Sequence, residues 1–129
     1  MRNLLIDTNI YTYALKGDDE VVSVLQRANK IGISVISMGE LLSGFKAGNR
    51  EEKNINEMEA FLDSERVVIY PVDDETAEFY AEILNSLKKK GKPVSTNDIW
   101  IAATAFQHGL KLFTKDQHFR HIAGLIEVC

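Results

Sequence analysis

Cysteine is almost missing from this chain: Cys129 is the only one in 129 residues. No disulfide can form within the molecule, so a hydrophobic core has to hold the fold, and a cytoplasmic setting is the expectation. Long apolar runs are missing too. None approaches the ~20 residues needed to span a bilayer, so no membrane attachment is expected. The opening stretch MRNLLIDTNI breaks its apolar run at Asp7 and offers no small-residue cleavage site, unlike a secretory signal. Proline is scarce, and no linker, low-complexity segment or internal repeat interrupts the chain. A glycine-rich phosphate loop, a serine–histidine–aspartate arrangement and a cysteine–histidine metal spacing are all lacking. His108, His118 and His121 have no partner at helical i, i+4 spacing and read as surface residues.

What is present suits one domain over residues 1–129, since a chain of this length and 45% hydrophobic content can bury a proper core. The net charge of −4 argues at first against a polyanionic partner, but its distribution is uneven. Residues 86–121 carry seven basic side chains against Asp98 and Asp116, which makes that segment +5 and the remainder −9. Such asymmetry permits a face that meets nucleic acid. Equally, Lys88, Lys89 and Lys90 suit a helix C-terminus, where cations complement the macrodipole.

Apolar spacing predicts helices carrying the stripes Val21/Val24/Leu25/Ala28, Met38/Leu41/Leu42/Phe45 and Tyr80/Ile83/Leu84/Leu87, with a weaker one through Ile55, Met58 and Leu62. The run IWIAATAF, residues 99–106, is apolar on nearly every side and predicts a deeply buried helix. Short β-prone runs lie between: 4–6, 31–34, 67–72, 111–114 and 125–128. Strands alternating with helices imply a mostly parallel sheet in a three-layer α/β/α sandwich. Asp18 or Asp19, Ser34, Asp73, and Thr96 or Asn97 are placed to cap helix starts, and Gly91 and Gly109 to end helices.

In a parallel sheet the C-terminal ends of all strands lie along one edge, and ligands bind there. Asp7 follows the first strand, Glu40 follows the second within SVISMGELLSG, and Asp116 follows KLFT. Asp98 opens a helix that must start at this same edge, because it ends at Gly109 and leads into a strand. Each acid alone has a structural explanation. Asp7 and Asp98 suit helix N-termini, Ser37 and Glu40 fit a capping box, and Thr114 and Gln117 fit another. The stripe through Met38 and Leu41 even points Glu40 toward solvent. Together, however, four carboxylates in one pocket repel and raise one another's pKa unless a cation neutralises them. An oxygen-only set suits Mg²⁺ or Mn²⁺, and such ions activate water and stabilise charge on a phosphodiester.

The stretches LLIDTNI, ISMGELLSG, STNDIWIAATA and LFTKDQHF resemble, in order and spacing, the four motifs of PIN-domain nucleases, most closely the VapC-type toxins of toxin–antitoxin pairs. The resemblance runs from Leu4 to Phe119. It implies a five-stranded parallel sheet and a metal-dependent endoribonuclease acting on a structured RNA such as a tRNA or ribosomal RNA. It implies further a cognate antitoxin as partner and a homodimer. Its acidic positions fall on Asp7, Glu40, Asp98 and Asp116, with Thr8, Asn9 and Thr114 as supporting polar residues. Lys115 and Arg120 flank Asp116 and are expected to contact the RNA. Lys88, Lys89, Lys90 and Lys92 end a helix and are expected to lie farther off. Two other readings stay open. A haloacid-dehalogenase-like phosphatase would need a second acid where Asn9 stands, and a non-catalytic α/β binding module would have no use for four acids in order.

Overall fold

Leu4, Leu5 and Ile6 are all fully buried, yet successive residues of a strand face opposite ways, and that alternation sets the layers. Leu4 and Ile6 enter one core and Leu5 the other. In the computed structural model, which describes residues 3–128, the elements follow in order. They are β1 (Asn3–Ile6), α1 (Thr8–Leu15), α2 (Asp19–Arg27), β2 (Lys30–Ser34), α3 (Val35–Ala47), α4 (Glu51–Leu62) and β3 (Val67–Tyr70). Then come α5 (Asp74–Lys90), α6 (Thr96–His108), β4 (Lys111–Phe113), a short 3-10 turn (Gln117–His121) and β5 (Glu127–Val128).

The five strands are parallel in the order β3-β2-β1-β4-β5. The chain winds outward from β1 through β2 to β3, then returns to the other side of β1 for β4. That reversal puts the topological switch point between β1 and β4, where an open parallel sheet leaves a crevice at its carboxyl edge. Helices α1 to α4 pack Ile10, Val21, Val24, Leu25, Leu41 and Met58 against one face. Helices α5 and α6 pack Ile83, Leu87, Ile99, Ile101 and Ala102 against the other. The α/β/α sandwich is the architecture expected. Among the described residues no helix is long and apolar enough to cross a membrane.

Several boundaries differ from the sequence reading for identifiable reasons. The third strand stops at Tyr70 because Pro71 has no N–H to continue a ladder. The last strand is two residues long, since its only neighbour, β4, offers three. Asp18, not Asp19, caps α2 by accepting from the Val21 N–H. The cap of α6 is Ser95, one residue before the expected pair, and its hydroxyl accepts from the Asp98 N–H at 3.2 Å. Asp73 and Thr76 form a reciprocal capping box on α5. Gly91 and Gly109 end α5 and α6 at φ 65° and 64°, a conformation with little cost only for glycine.

Candidate active site

Asp7 stands one residue beyond β1, and its carboxylate accepts two hydrogen bonds. Oδ1 accepts the Ile10 N–H at 2.9 Å, which caps α1, while Oδ2 accepts the Thr114 hydroxyl at 2.5 Å. Each oxygen keeps a further lone pair. Thr114 follows β4 and is itself buried, and its Oγ1 accepts the Asp116 N–H at 2.9 Å. One hydroxyl thus fixes the spacing between the acid after β1 and the acid after β4. The alternative capping box of Thr114 and Gln117 does not form. Asp116 supplies the cap itself, accepting the His118 N–H at 2.9 Å, and His118 Nδ1 lies 2.9 Å from the same oxygen.

Glu40 is exposed, as its helical position required, yet it is held at both oxygens. Thr8 donates to Oε1 at 2.5 Å and Asn97 Nδ2 donates to Oε2 at 3.2 Å. Thr8 has a single hydroxyl proton, so the 2.9 Å contact with Ser37 Oγ is one in which Ser37 donates. A capping box of Ser37 and Glu40, which would need the helix to start at Ser37, does not form. Helix α3 starts two residues earlier, with Ser34 as its cap, and Ser37 is fully buried beneath Thr8. Ser37, Asn97 and His118 were not singled out from sequence as parts of the site. The one available signal was position: Ser37 shares a helix face with Glu40, and Asn97 and His118 lie next to, or two from, an acid. Asn9 is exposed on α1 and makes no side-chain hydrogen bond among the described residues.

Asp98 completes the group from the first turn of α6. A helix N-terminus favours a carboxylate by ~0.3–1 kcal/mol, yet the Asp98 pKa is pushed up. Burial is the largest cause, and Asp116 and Glu40 add like charge against the opposing Ser95 and His118. Burial likewise raises the Asp7 carboxyl, outweighing the hydrogen bonds from Thr114 and Ile10, with Asp98 and Asp116 contributing repulsion. Like-charge repulsion thus links Asp98 to Asp7, Asp116 and Glu40, acids that come from four separate segments.

Among the described residues no lysine or arginine forms an ion pair with Asp7, Glu40, Asp98 or Asp116. Oxygen-only donors, two of them desolvated beside like charges, suit a hard divalent cation. No three acidic or histidine groups among the described residues are drawn together tightly enough to enclose an ion.

Lys115 and Arg120 both line a recess beside Asp116. Lys115 is engaged: its Nζ lies 3.3 Å from Asp18 and 4.8 Å from the centre of the Tyr13 ring. Arg120 is exposed and lines a small recess with Thr114, Asp116 and Glu127. Lys90, expected to be remote, reaches the His121 carbonyl at 3.4 Å. Helices α5 and α6 pack as a hairpin across the short link 91–95, so the end of one meets the start of the other at the acidic edge.

An acidic cluster at the switch point of a five-stranded parallel sheet defines an α/β domain of the acid-cluster kind. Within that class the chain belongs to the PIN domain family, which it matches over residues 4–125. It is similar to Ribonuclease VapC1 of Haemophilus influenzae, with 33% identity over 127 residues, 94% of this chain and 92% of that protein. Its fold is similar to a chain in the crystal structure of DNA-bound VapBC from Salmonella typhimurium. There the TM-score is 0.88 at 27% identity, covering 99% of this chain and 98% of that one. VapBC-5 from Mycobacterium tuberculosis, a member of the VapBC family of toxin–antitoxin systems, gives 0.77 at 26% identity over 99% and 100% of the two chains.

Proposed function

We propose that this protein is the toxin of a toxin–antitoxin pair, an endoribonuclease that hydrolyses RNA phosphodiester bonds with a divalent cation at the acidic edge. The observation that carries this reading is the neighbourhood of Asp98 with Asp7, Asp116 and Glu40, where burial and like charge hold Asp7 and Asp98 back from ionising. Kinship with ribonucleases and with chains of toxin–antitoxin complexes supports it.

Asp7, Asp98 and Asp116 would be the principal ligands of Mg²⁺ or Mn²⁺, with Glu40 at the exposed rim. The cation, when bound, supplies neutralising charge for the phosphodiester and acidity for the attacking water. The residues of the chain supply position. Thr114 holds Asp7 and Asp116 in register, and Thr8 and Asn97 hold both oxygens of Glu40. Such outer partners matter because a carboxylate free to rotate would lose its geometry. The antitoxin would be a small partner protein encoded beside the toxin.

The test is to sequence new RNA 5′ ends in cells expressing the protein, beside cells expressing Asp98→Asn. A small set of recurrent cuts, in tRNA or ribosomal RNA first of all, is expected with the wild type and none with the variant. Identical 5′ ends in both cultures would remove the nuclease assignment.

A further inference from the structure

An acidic crevice repels the substrate it is meant to cut, so a polyanion must be gripped by cations close by. The end of α5 supplies them. Lys88, Lys89, Lys90 and Lys92 are all exposed, and among the described residues none forms an ion pair. Their backbone is fixed: the Gly91 N–H donates to Lys88 and the Lys92 N–H to Leu87, so Lys92 turns back beside Lys88. Lys90 also bridges to His121, at the end of the 3-10 turn that Asp116 caps. Lys90 therefore lies beside the turn that Asp116 caps, and Lys92 stands in the link that leads into α6.

Beside them runs a groove of about 430 Å³. Half-buried Leu84 and Val94 form its apolar walls above the buried Leu87 and Ile99, and the exposed Lys88 and Lys92 border it. Ile99 is the next residue after Asp98. An apolar slot bordered by unpaired cations is complementary to an unstacked nucleobase with a phosphate on either side, since a base presents an apolar face and a charged link. A duplex would offer the phosphates and hide the base faces.

We infer that this groove and Lys88 and Lys92 form a subsite for a single-stranded nucleotide of the RNA, next to the acidic crevice. The inference rests on the proposed ribonuclease reading but is tested by binding alone. The Asp98→Asn protein serves as parent so that nothing is cut. The probe is a fluorescein-labelled single-stranded RNA 12-mer of mixed sequence, followed by anisotropy against KCl concentration. Lys88→Ala/Lys92→Ala should weaken binding and flatten the log–log salt slope by roughly 0.7 per lysine. An abasic version of the probe should bind the parent several-fold more weakly than the intact RNA, and Val94→Phe, which fills the groove, should erase that difference.

An unchanged salt slope in the double lysine variant overturns the inference, as does an abasic probe bound as tightly as the intact one. Displacement of the RNA by a polyglutamate 12-mer at equal concentration would assign the surface to acidic proteins and overturn it too. Failure of the parent to bind the probe at low salt also overturns it. The ribonuclease reading fails separately: a wild-type protein that leaves cellular RNA uncut while the parent shows the expected slopes would sink that reading and leave the subsite standing.

Discussion

The hydroxyl of Thr114 donates to Asp7 Oδ2 at 2.5 Å, joining residues 107 apart in sequence. Thr114 Oγ1 in turn accepts the Asp116 N–H, so a single side chain sets the distance between two acids on either side of the switch point. A hydrogen bond to a charged partner contributes about 1.5–3 kcal/mol. Thr114→Val should therefore cost stability of that order, raise the Asp7 pKa further and lower RNA cleavage roughly 10–100-fold, as the loss of an outer partner typically does. Thr114→Ser should restore most of both. Denaturant unfolding and a cleavage assay on the two variants check this, and a Val variant as active as wild type would remove Thr114 from the site.

Asp7 and Asp98 have folded pKa values raised above the ordinary carboxylate value of about 3.9. In the window between that value and the raised ones the folded protein binds more protons than the unfolded chain. What these two groups contribute to the stability of the metal-free protein must then fall as pH rises through the window, against the opposite trend of Asp18 and Asp73. Asp98→Asn removes one of the opposing charges, so in EDTA it should melt higher than wild type near neutral pH and show a flatter pH dependence. Millimolar Mn²⁺ should raise the wild-type melting temperature, less so as pH falls, and should do little for the variant. A variant that melts lower in EDTA would mean that Asp98 serves α6 as a cap and little else.

Much of the site was legible because three of its acids stand at element ends. Asp7 after β1, Asp116 after β4 and Asp98 at the start of α6 follow from strand and helix periods alone, once a parallel sheet is inferred. Glu40 was not legible in that way. Its placement depends on Thr8 and Asn97, which belong to other elements, and no local pattern encodes such a contact. Ser37 was hidden by a plausible local role as a cap, which Ser34 fills instead. The position of Lys88 to Lys92 depends on how α5 packs against α6, a tertiary fact that charge counting cannot supply. The core stripes were read correctly because burial imposes the helical period directly.

Asn97 and Ser37 separate positioning from stability. Asn97 is exposed, so Asn97→Ala should leave the melting temperature nearly unchanged and lower cleavage about tenfold through a looser Glu40. Ser37 is fully buried, so Ser37→Ala should cost about 1 kcal/mol as well as activity. Equal loss of stability in both would show that the bond to Glu40 has no separate role.

Tyr11 tests the core. It is 1% exposed and packs edge-on against Phe61 at 5.2 Å, but its buried hydroxyl has no partner among the described residues. Leaving such a group unsatisfied costs about 1–3 kcal/mol. Tyr11→Phe should accordingly be neutral or stabilising by up to about 1 kcal/mol in a denaturant titration. A clear loss would reveal a partner for the hydroxyl, such as an ordered water.

Metal-dependent cleavage is tested most directly on an RNA substrate, by the purified protein with Mg²⁺ or Mn²⁺ titrated in, beside Asp7→Asn, Glu40→Gln, Asp98→Asn and Asp116→Asn, each checked for folding by circular dichroism. The prediction is that cleavage rises with the cation, stops with EDTA, and falls by orders of magnitude in the three aspartate variants and less in Glu40→Gln, all four remaining folded. Cleavage that persists in EDTA, or that survives intact in folded Asp7→Asn and Asp98→Asn proteins, would contradict it.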